Sequence, residues 1–225
     1  MALPDVKPVV LAGERLLPVL EPLAPLLPAG GLQRGWTVTV SRSTSLALAL
    51  LAGASAAGSW CAAVGMPSLG LAAAAEVGVV LERFPLVAAP ADAGEWAWTV
   101  TTLLDAVDVV LVRPPEPAWR ERSRSLPEPQ ARRLAVKARE RSSVLLVCTP
   151  AWPGADVRLV AGDARWEGVG QGHGRLRARR VEVVAGGRGA AARERRVSLW
   201  LPGPDGGVAV GPSPVLGTVM NTAGA

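Results

Sequence analysis

A cluster of hydroxyl side chains around one arginine, SRSTS, follows the β-branched segment Trp36–Val40 and precedes the apolar segment LALALLAGASAA. The pattern predicts a strand, a tight turn that caps a helix, and the helix itself. Nucleotide-binding proteins hold phosphate at such a turn, with glycines that wrap the anion, a lysine for the terminal phosphates and a Ser or Thr for magnesium. SRSTS has neither glycine nor lysine, so the sequence predicts a degenerate nucleotide site made of Ser41, Arg42, Ser43, Thr44 and Ser45.

A second group of candidate residues lies in a proline-bounded loop, WRERSRSLPEP. Trp119 is followed there by Arg120, Arg122 and Arg124. Arginine beside an aromatic ring suits phosphate contact combined with base stacking, so this loop is a candidate DNA-binding element. The alternative is an exposed basic loop without a ligand.

A third group lies on a strand predicted over Arg175–Val184, where Arg175, Arg177 and Arg179 alternate with apolar residues. The alternation gives the strand one basic face. Such a face could dock DNA or an acidic segment of a partner protein. The phase slips at Arg180, which predicts a β-bulge at that position.

The charge of the chain is unevenly distributed. Residues 1–112 carry 5 basic and 9 acidic side chains, whereas residues 113–225 carry 19 and 10. The second half therefore favours nucleic acid or an acidic protein as partner, with a solvated arginine-rich face as the alternative. Arg132 and Arg133 belong to this surplus, on the outward face of a helix predicted over Gln130–Glu140.

The remaining reactive side chains indicate no catalytic or metal site and no cofactor. His173 lies in GVGQGHG, a glycine-rich turn that opens no helix and has no second histidine or cysteine pair beside it. Cys61 and Cys148 stand in apolar runs, which predicts buried free thiols in a reducing cytosol. We therefore expect a cytoplasmic protein.

The segment Ser43–Ala75 contains no charged residue over 33 positions, which raises the question of a membrane span. Glycines and Pro67 interrupt it, and most of its side chains are alanine. A buried helix followed by a buried parallel strand fits this composition better. No basic segment followed by an apolar one opens the chain, so we expect no secretory signal and no membrane partner.

Strand-like and helix-like segments alternate through the first two thirds of the chain. This order predicts an α/β fold with a doubly wound, mostly parallel sheet. The last third shows period-2 alternation in Ala155–Leu159, Arg175–Val184 and Arg196–Leu201, which predicts antiparallel strands added to that sheet.

Composition divides the chain into three parts. Residues 1–29 form a proline-rich apolar arm with one short helix predicted over Val9–Leu17, and residues 30–201 form the core. Residues 202–225 are rich in glycine and proline and are predicted to be a disordered tail. The arm packs either on its own core or on a neighbouring copy, so self-association through residues 1–29 stays open.

Four segments resemble the RecA-like ATPase core, over about residues 26–201: LLPAGGLQRGWTVTV, LVAAPADAGEWAWTVTTLLDAVDVVLV, SSVLLVCT and ADVRLV. The resemblance implies that the four residue sets of the ATPase are replaced. The phosphate loop becomes Ser41–Ser45, and Met66 stands near the place of the catalytic glutamate. Arg113 replaces the metal-associated aspartate, and Thr149-Pro150 the glutamine region. Without all four sets the chain lacks the phosphate-binding loop, the catalytic base and the metal ligand, so we expect no enzyme activity.

Among RecA-like proteins without the ATPase residues, the chain resembles the actinobacterial ImuA-like group, through SAAGSWCAAVG followed by PSLGLAAAAE. This resemblance implies an accessory protein of SOS-induced mutagenesis and translesion DNA synthesis. Its implied partners are an ImuB-like, Y-family-related protein and an error-prone polymerase, with DNA contact as a further expectation. Two alternatives are a SulA-like inhibitor that binds a tubulin-like division protein, and a divergent RecA-like ATPase.

Overall fold

A ten-stranded mixed sheet forms the centre of the structure, a computed structural model that describes residues 15–90, 92–114, 128–150, 152–169 and 174–212. The strands within these ranges are β1 (Leu16–Leu17), β2 (Leu32–Gln33), β3 (Thr37–Ser41), β4 (Cys61–Val64), β5 (Leu86–Val87), β6 (Val109–Val112), β7 (Val144–Cys148), β8 (Val157–Ala161), β9 (Arg165–Val169), β10 (Gly174–Gly187), β11 (Arg195–Trp200) and β12 (Ala209–Val210). The α-helices are α1 (Thr44–Ala56), α2 (Leu71–Glu76), α3 (Ala93–Ala106) and α4 (Glu128–Arg141). Short 3-10 helices cover Glu21–Leu26, Leu81–Arg83 and Gly189–Ala191.

Parallel strands form one side of the sheet, from the edge strand β5 inward, in the order β5-β4-β6-β7-β3-β8. Beyond β8 the sheet continues with β10, β11 and β12, all paired antiparallel, and β9 pairs with β10 alone. The predicted class, an α/β protein with a parallel sheet extended by antiparallel strands, is confirmed.

Two apolar layers enclose the parallel strands. On one face α1 packs against β3 and β7 and the 3-10 helix Glu21–Leu26 packs against β10 and β11, and on the other face α3 packs against β6 and α4 against β7. All five residues of β3 are buried, as expected for a strand covered on both sides. The buried side chains of α1 surround nearly its whole circumference, which explains why its sequence carries no charge.

The uncharged stretch from Ser43 to Ala75 therefore consists largely of α1, the buried strand β4 and α2. None of the helices in the described ranges is both long and apolar enough to cross a bilayer. The prediction of a buried helix followed by a buried strand is confirmed.

The direction of β8 differs from the prediction. Its residues alternate between buried and exposed, but it runs parallel to β3 and antiparallel only to β10. Alternation records that one face of a strand is covered, and it carries no information about strand direction. The prediction that Ala155–Leu159 is an antiparallel strand therefore holds for its pairing with β10 and is wrong for its pairing with β3.

The bulge in β10 also lies elsewhere than predicted. The β9–β10 register shifts between Gly174 and Ala178, whereas Arg180 pairs regularly with Arg165 on one side and Trp200 on the other. The burial pattern changes near Arg180 because β10 gains β11 as a second neighbour there. A new neighbour and a bulge disturb the alternation in the same way, so the sequence placed the bulge wrongly.

The described part of the apolar arm packs on the core of its own chain. β1 pairs with β2, and the 3-10 helix Glu21–Leu26 buries Leu23 and Leu26 completely. Leu16–Leu17 is a strand and not the end of the predicted helix Val9–Leu17, because it pairs with Leu32–Gln33. Residues 1–14 lie outside the described residues.

Regular structure continues past residue 202, where the disordered tail was predicted to begin. β12 forms the edge of the sheet beside β11, with Ala209 opposite Trp200 and Val210 opposite Leu199. Composition missed this pairing because two residues are too few to show a pattern. Residues 213–225 lie outside the described part of the chain.

Candidate functional site

The hydroxyl turn, residues 41–45, connects the end of β3 to α1. Ser41 Oγ donates to the carbonyl oxygen of Leu159 on β8 at 3.4 Å. Arg42 takes a left-handed conformation with a φ of 67°, and Ser43 caps α1 by accepting a hydrogen bond from the backbone N–H of Leu46 at 3.1 Å. The cap satisfies one of the N–H groups that the first helical turn leaves free, which fixes the conformation of the turn.

Arg113 lies directly after β6 and reaches the hydroxyl turn. Its Nη2 donates to Thr44 Oγ1 at 3.2 Å. Only β7 separates β6 from β3 in the sheet, so the carboxyl ends of these strands meet at one edge. Gly65 allows a close approach there, since a Cβ at this position would lie 2.7 Å from the carbonyl oxygen of Arg113. The strand ends thus hold the Arg113 guanidinium against the first residue of α1.

Arg179 reaches the hydroxyl turn from the antiparallel part of the sheet. Its Nε donates to the carbonyl oxygen of Leu201 at 2.7 Å, and its Nη2 donates to Ser43 Oγ at 3.4 Å. The guanidinium also lies over the ring of Trp166, 5.6 Å from the centroid. Burial lowers the pKa of Arg179, but an arginine remains charged at neutral pH.

Arg42 contributes a third guanidinium, on the solvent side of the turn. Its Nη2 donates to Oδ1 of Asp163 at 2.5 Å, and both side chains are exposed. An exposed ion pair of this kind contributes little to stability. We call Arg42, Arg113 and Arg179 the arginine cluster.

The chemistry of the hydroxyl turn follows from this cluster. Guanidinium groups and hydroxyls donate to anions, and the positive charges repel a divalent cation. Among the described residues, no group of three or more His, Cys, Asp and Glu side chains could hold a metal ion. The arrangement offers anion contact, and residues 41–45 include no lysine for the phosphates.

The two cysteines are free, and their surroundings keep them protonated. Burial raises the pKa of Cys148 to about 11, while the positive charge of Arg113 lowers it. Burial also raises the pKa of Cys61 to about 12, the negative charge of Asp108 adds to this rise and Arg83 opposes it. A protonated thiol is a poor nucleophile and metal ligand.

Of the positions predicted for the degenerate site, the structure brings only some together. Arg113 contacts Thr44, whereas Met66 is 6% exposed and belongs to the apolar core. Ser45 is half-buried in the first turn of α1. The position near which the resemblance expects a catalytic glutamate thus holds a core side chain.

The other candidate residues lie on separate surfaces. Arg132 and Arg133 line a groove between α3 and α4 together with Thr101 and Val136. Arg175 and Arg177 are exposed on β10. The candidate loop with Trp119, Arg120, Arg122 and Arg124, and the turn with His173, lie outside the described residues.

Sequence reasoning missed Asp163 as a participant in this site, and it did not predict that Arg179 reaches the hydroxyl turn. Asp163 pairs with Arg42 across 121 positions of sequence, and Arg179 contacts Ser43 across 136. Neither contact has a local signal, because each depends on how β8 and β10 are placed beside β3. Arg179 was predicted as a ligand-binding residue, but its guanidinium is already occupied by Leu201, Ser43 and the ring of Trp166.

Comparison with known proteins identifies the family. The family model of the MT3502 N-terminal domain matches residues 25–154, more than half of the chain. The chain belongs to this family. It is also 34% identical over 139 residues to the uncharacterized protein Rv3395c of Mycobacterium tuberculosis, a match that covers 60% of this chain and 63% of that protein. The chain thus spans less than two thirds of the length of this relative.

The MT3502 N-terminal domain match covers one part of the candidate site and leaves out another. Residues 25–154 include β3, the hydroxyl turn, Met66 and Arg113. β8 and the whole antiparallel extension, with Asp163 and Arg179, lie outside the matched range. The Arg113–Thr44 contact therefore lies within the domain that defines the family, whereas the Arg179–Ser43 contact joins that domain to the extension.

Proposed function

We propose that this protein is a non-catalytic RecA-like accessory protein of SOS-induced translesion DNA synthesis. It acts as an adaptor for an ImuB-like, Y-family-related partner and an error-prone DNA polymerase, at or near DNA. The sequence resemblance described above supports this role. The relative in Mycobacterium tuberculosis agrees with the actinobacterial group to which the resemblance points.

The parallel part of the sheet, from β5 to β8, supports the RecA-like assignment. A phosphate-loop ATPase needs the Ser or Thr of its loop and the aspartate of a nearby strand to meet over one magnesium ion. At the corresponding positions here, the start of α1 and the end of β6 come into contact. This contact supports the proposal, because the resemblance equates these two positions with the two magnesium ligands.

The single observation that carries the loss of catalysis is the hydrogen bond from Arg113 to Thr44 at 3.2 Å. It puts a guanidinium group where the two magnesium ligands of an ATPase would face each other. A fixed positive charge there repels the metal, and the neighbouring turn has no lysine for the phosphates. We infer that the fold serves as a binding scaffold.

Titration with a fluorescent ATP analogue in the presence of magnesium tests the loss of nucleotide binding. We expect no saturable binding to the full chain, because the hydroxyl turn has no glycine-rich loop to wrap the phosphates. An Arg113→Asp variant should also fail to bind, since the lysine is still missing. Micromolar binding to the unmodified chain contradicts the proposal and favours a divergent ATPase.

Co-expression with an ImuB-like protein, followed by size-exclusion chromatography, tests the adaptor role. We expect the two chains to elute as one complex. Co-expression with a tubulin-like division protein is the matched control and should give separate peaks. A complex with the division protein and none with the ImuB-like protein contradicts the proposal and supports a SulA-like inhibitor.

A further inference from the structure

A two-stranded ribbon extends from the antiparallel part of the sheet. It consists of β9 and residues 174–180 of β10, which pair with each other, and we call it the basic ribbon. Its described residues carry five arginines and one glutamate: Arg165, Arg175, Arg177, Arg179, Arg180 and Glu167. This is a strong local excess of positive charge on a narrow, largely exposed element.

Four of these arginines have no counter-charge within the described residues. Arg165, Arg175, Arg177 and Arg180 make no ion pair and no side-chain hydrogen bond there, whereas Arg179 is fully engaged. Arg165 and Arg180 even stand directly opposite each other in the β9–β10 register. Like charges at opposed positions of an antiparallel pair destabilise it. An anionic ligand would remove this repulsion.

A bulge in the basic ribbon exposes two of its arginines to solvent. Gly174 pairs with Val169 and Ala178 pairs with Glu167, so four residues of β10 are matched by two residues of β9. Arg175 and Arg177 therefore lie in a bulge. Gly168 faces this bulge with a φ of 107°, and a Cβ there would collide with the carbonyl oxygen of Arg175. The glycine is therefore required for this geometry, which places both arginines in solvent.

Apolar surface accompanies the charge. Trp166 is 48% exposed and Leu176 is 54% exposed. Trp166 lies opposite Arg179, whose guanidinium covers the ring at 5.6 Å and is anchored by Leu201 and Ser43. The indole is thus held in place by an ordered side chain while half of its surface stays open.

We propose that the basic ribbon is a binding site for single-stranded nucleic acid. Arg175 and Arg177 contact the phosphates, and the open part of Trp166 stacks on a base. Arg165 and Arg180 lie on the opposite face of the ribbon from the indole, since their pair is one residue out of phase with the Trp166–Arg179 pair. Single-strand binding combines a positive surface with an exposed aromatic ring in this way, because unpaired bases offer their faces. A duplex hides those faces, and an acidic peptide has none, so both leave the exposed indole unexplained.

This inference deepens the proposed role at DNA, but it does not depend on it. Failure of the oligonucleotide experiment below removes the binding site on the ribbon. The adaptor role is tested separately by the complex with an ImuB-like protein, so the two failures are distinguishable.

Fluorescence anisotropy with a labelled oligothymidylate of about 15 nucleotides tests the proposal on the full chain. Two phosphate contacts predict that the affinity falls about sevenfold between about 50 and about 200 mM salt, with a log–log slope of about −1.4. The Arg175→Gln/Arg177→Gln variant should make the salt response nearly flat. A flat salt response of the unmodified chain overturns the proposal.

The matched control is Arg158→Gln/Arg193→Gln, which removes the same charge from β8 and from the segment before β11. Like Arg175 and Arg177, these two are exposed and make no ion pair among the described residues. We expect the control variant to bind the oligonucleotide within about twofold of the unmodified chain, because salt screens the attraction between these distant charges and the bound phosphates. An equal loss in both double variants overturns the assignment to the ribbon.

A second pair of variants separates stacking from charge. Trp166→Ala should weaken oligonucleotide binding about tenfold and leave the salt slope unchanged, whereas Trp166→Phe should bind nearly as tightly as the unmodified chain. Equal affinities of the Ala and Phe variants contradict stacking. A duplex of equal length that binds as tightly, or polyglutamate that displaces the oligonucleotide at equal charge concentration, overturns the single-strand assignment.

Discussion

At the scale of single residues, Arg113 has two neighbours that report on its position. Its guanidinium donates to the Thr44 hydroxyl at 3.2 Å, and its charge lowers the pKa of the Cys148 thiol against the larger effect of burial. The reactivity of the Cys148 thiol therefore reports on the position of the Arg113 guanidinium. Both effects require that Arg113 stays in the place described.

We predict that alkylation of Cys148 rises about tenfold per pH unit between about pH 7 and pH 9, without a plateau. The reason is the pKa of about 11, which leaves the thiolate a small fraction throughout this range. Arg113→Ala should slow the reaction at every pH, because it removes the charge that lowers the pKa, and Arg113→Lys should restore much of it. Mass spectrometry separates the Cys148 peptide from the Cys61 peptide, and a plateau below pH 9 contradicts the prediction.

Ser43 gives a second prediction at this scale. Ser43→Ala removes the cap of α1 and should lower the free energy of unfolding by about 1 kcal/mol. Ser45→Ala is the matched control within the same helical turn. It should change the stability by only a few tenths of a kcal/mol, because alanine has the higher helix propensity. Urea unfolding measures both variants, and an equal loss in the two would show that capping is not the cause.

The residues of the hydroxyl turn could be predicted because their signal is local. SRSTS between a β-branched run and an apolar helix indicates a capped turn, and Ser43 caps the helix. The contact between Arg179 and that cap could not be predicted, since it joins residues 136 positions apart. It depends on where β10 lies in the sheet, which no short pattern encodes.

At the scale of elements, the basic ribbon depends on Gly168. Its φ of 107° is a conformation that residues with a side chain rarely adopt, and a Cβ there would also clash with the carbonyl oxygen of Arg175. Among the described strands, β9 pairs with β10 alone, so the outer part of the ribbon can open without unfolding the core.

We therefore predict that Gly168→Ala opens the ribbon locally. Hydrogen exchange of the backbone amides in residues 165–180 should become at least about tenfold faster, while the amides of β3 and β7 keep their protection. Gly186→Ala is the matched control on β10, because a Cβ there meets no atom within 4 Å. It should leave exchange in the ribbon unchanged, and unchanged exchange in Gly168→Ala as well would contradict the prediction.

Elements with a long or purely apolar pattern were predicted well, and elements defined by their neighbours were not. The helix predicted over Ala93–Val107 is α3, and the one predicted over Gln130–Glu140 is α4, each within two residues of the observed ends. The bulge of β10 and the direction of β8 were predicted wrongly, because pairing partners decide both.

At the scale of the whole molecule, the described part of the apolar arm is held by an unusually close backbone contact. A Cβ at Gly53 on α1 would lie 2.6 Å from the backbone Cα and carbonyl carbon of Val19. Glycine is the residue that permits this approach, so α1 and the arm form one packed layer on the sheet.

We predict that Gly53→Ala lowers the free energy of unfolding by about 1–2 kcal/mol, even though alanine favours helix. The clash involves backbone atoms, which cannot move aside as a flexible side chain would. Gly70→Ala, whose Cβ would meet only Ala73 at an ordinary 3.6 Å, should change stability by less than about 0.5 kcal/mol. Thermal and urea unfolding measure the difference, and a stabilised Gly53→Ala would show that the arm does not dock there.

The parallel part of the sheet could be predicted from the sequence, because strands that alternate with helices allow few arrangements of the chain. The docking of residues 15–29 was left open, since an apolar segment reveals that it is covered but not what covers it. Gly53 was the one local signal of that contact, and a glycine inside a helical pattern is ambiguous without the structure.

The hydrogen bonds from Arg113 to Thr44 and from Arg179 to Ser43 have a consequence for any attempt to build ATP hydrolysis into this scaffold. Grafting a glycine-rich loop with its lysine onto residues 41–45 would not suffice, since two guanidinium groups from distant strands would still lie beside that loop and repel magnesium. An engineer would have to replace the loop and both arginines in the same step.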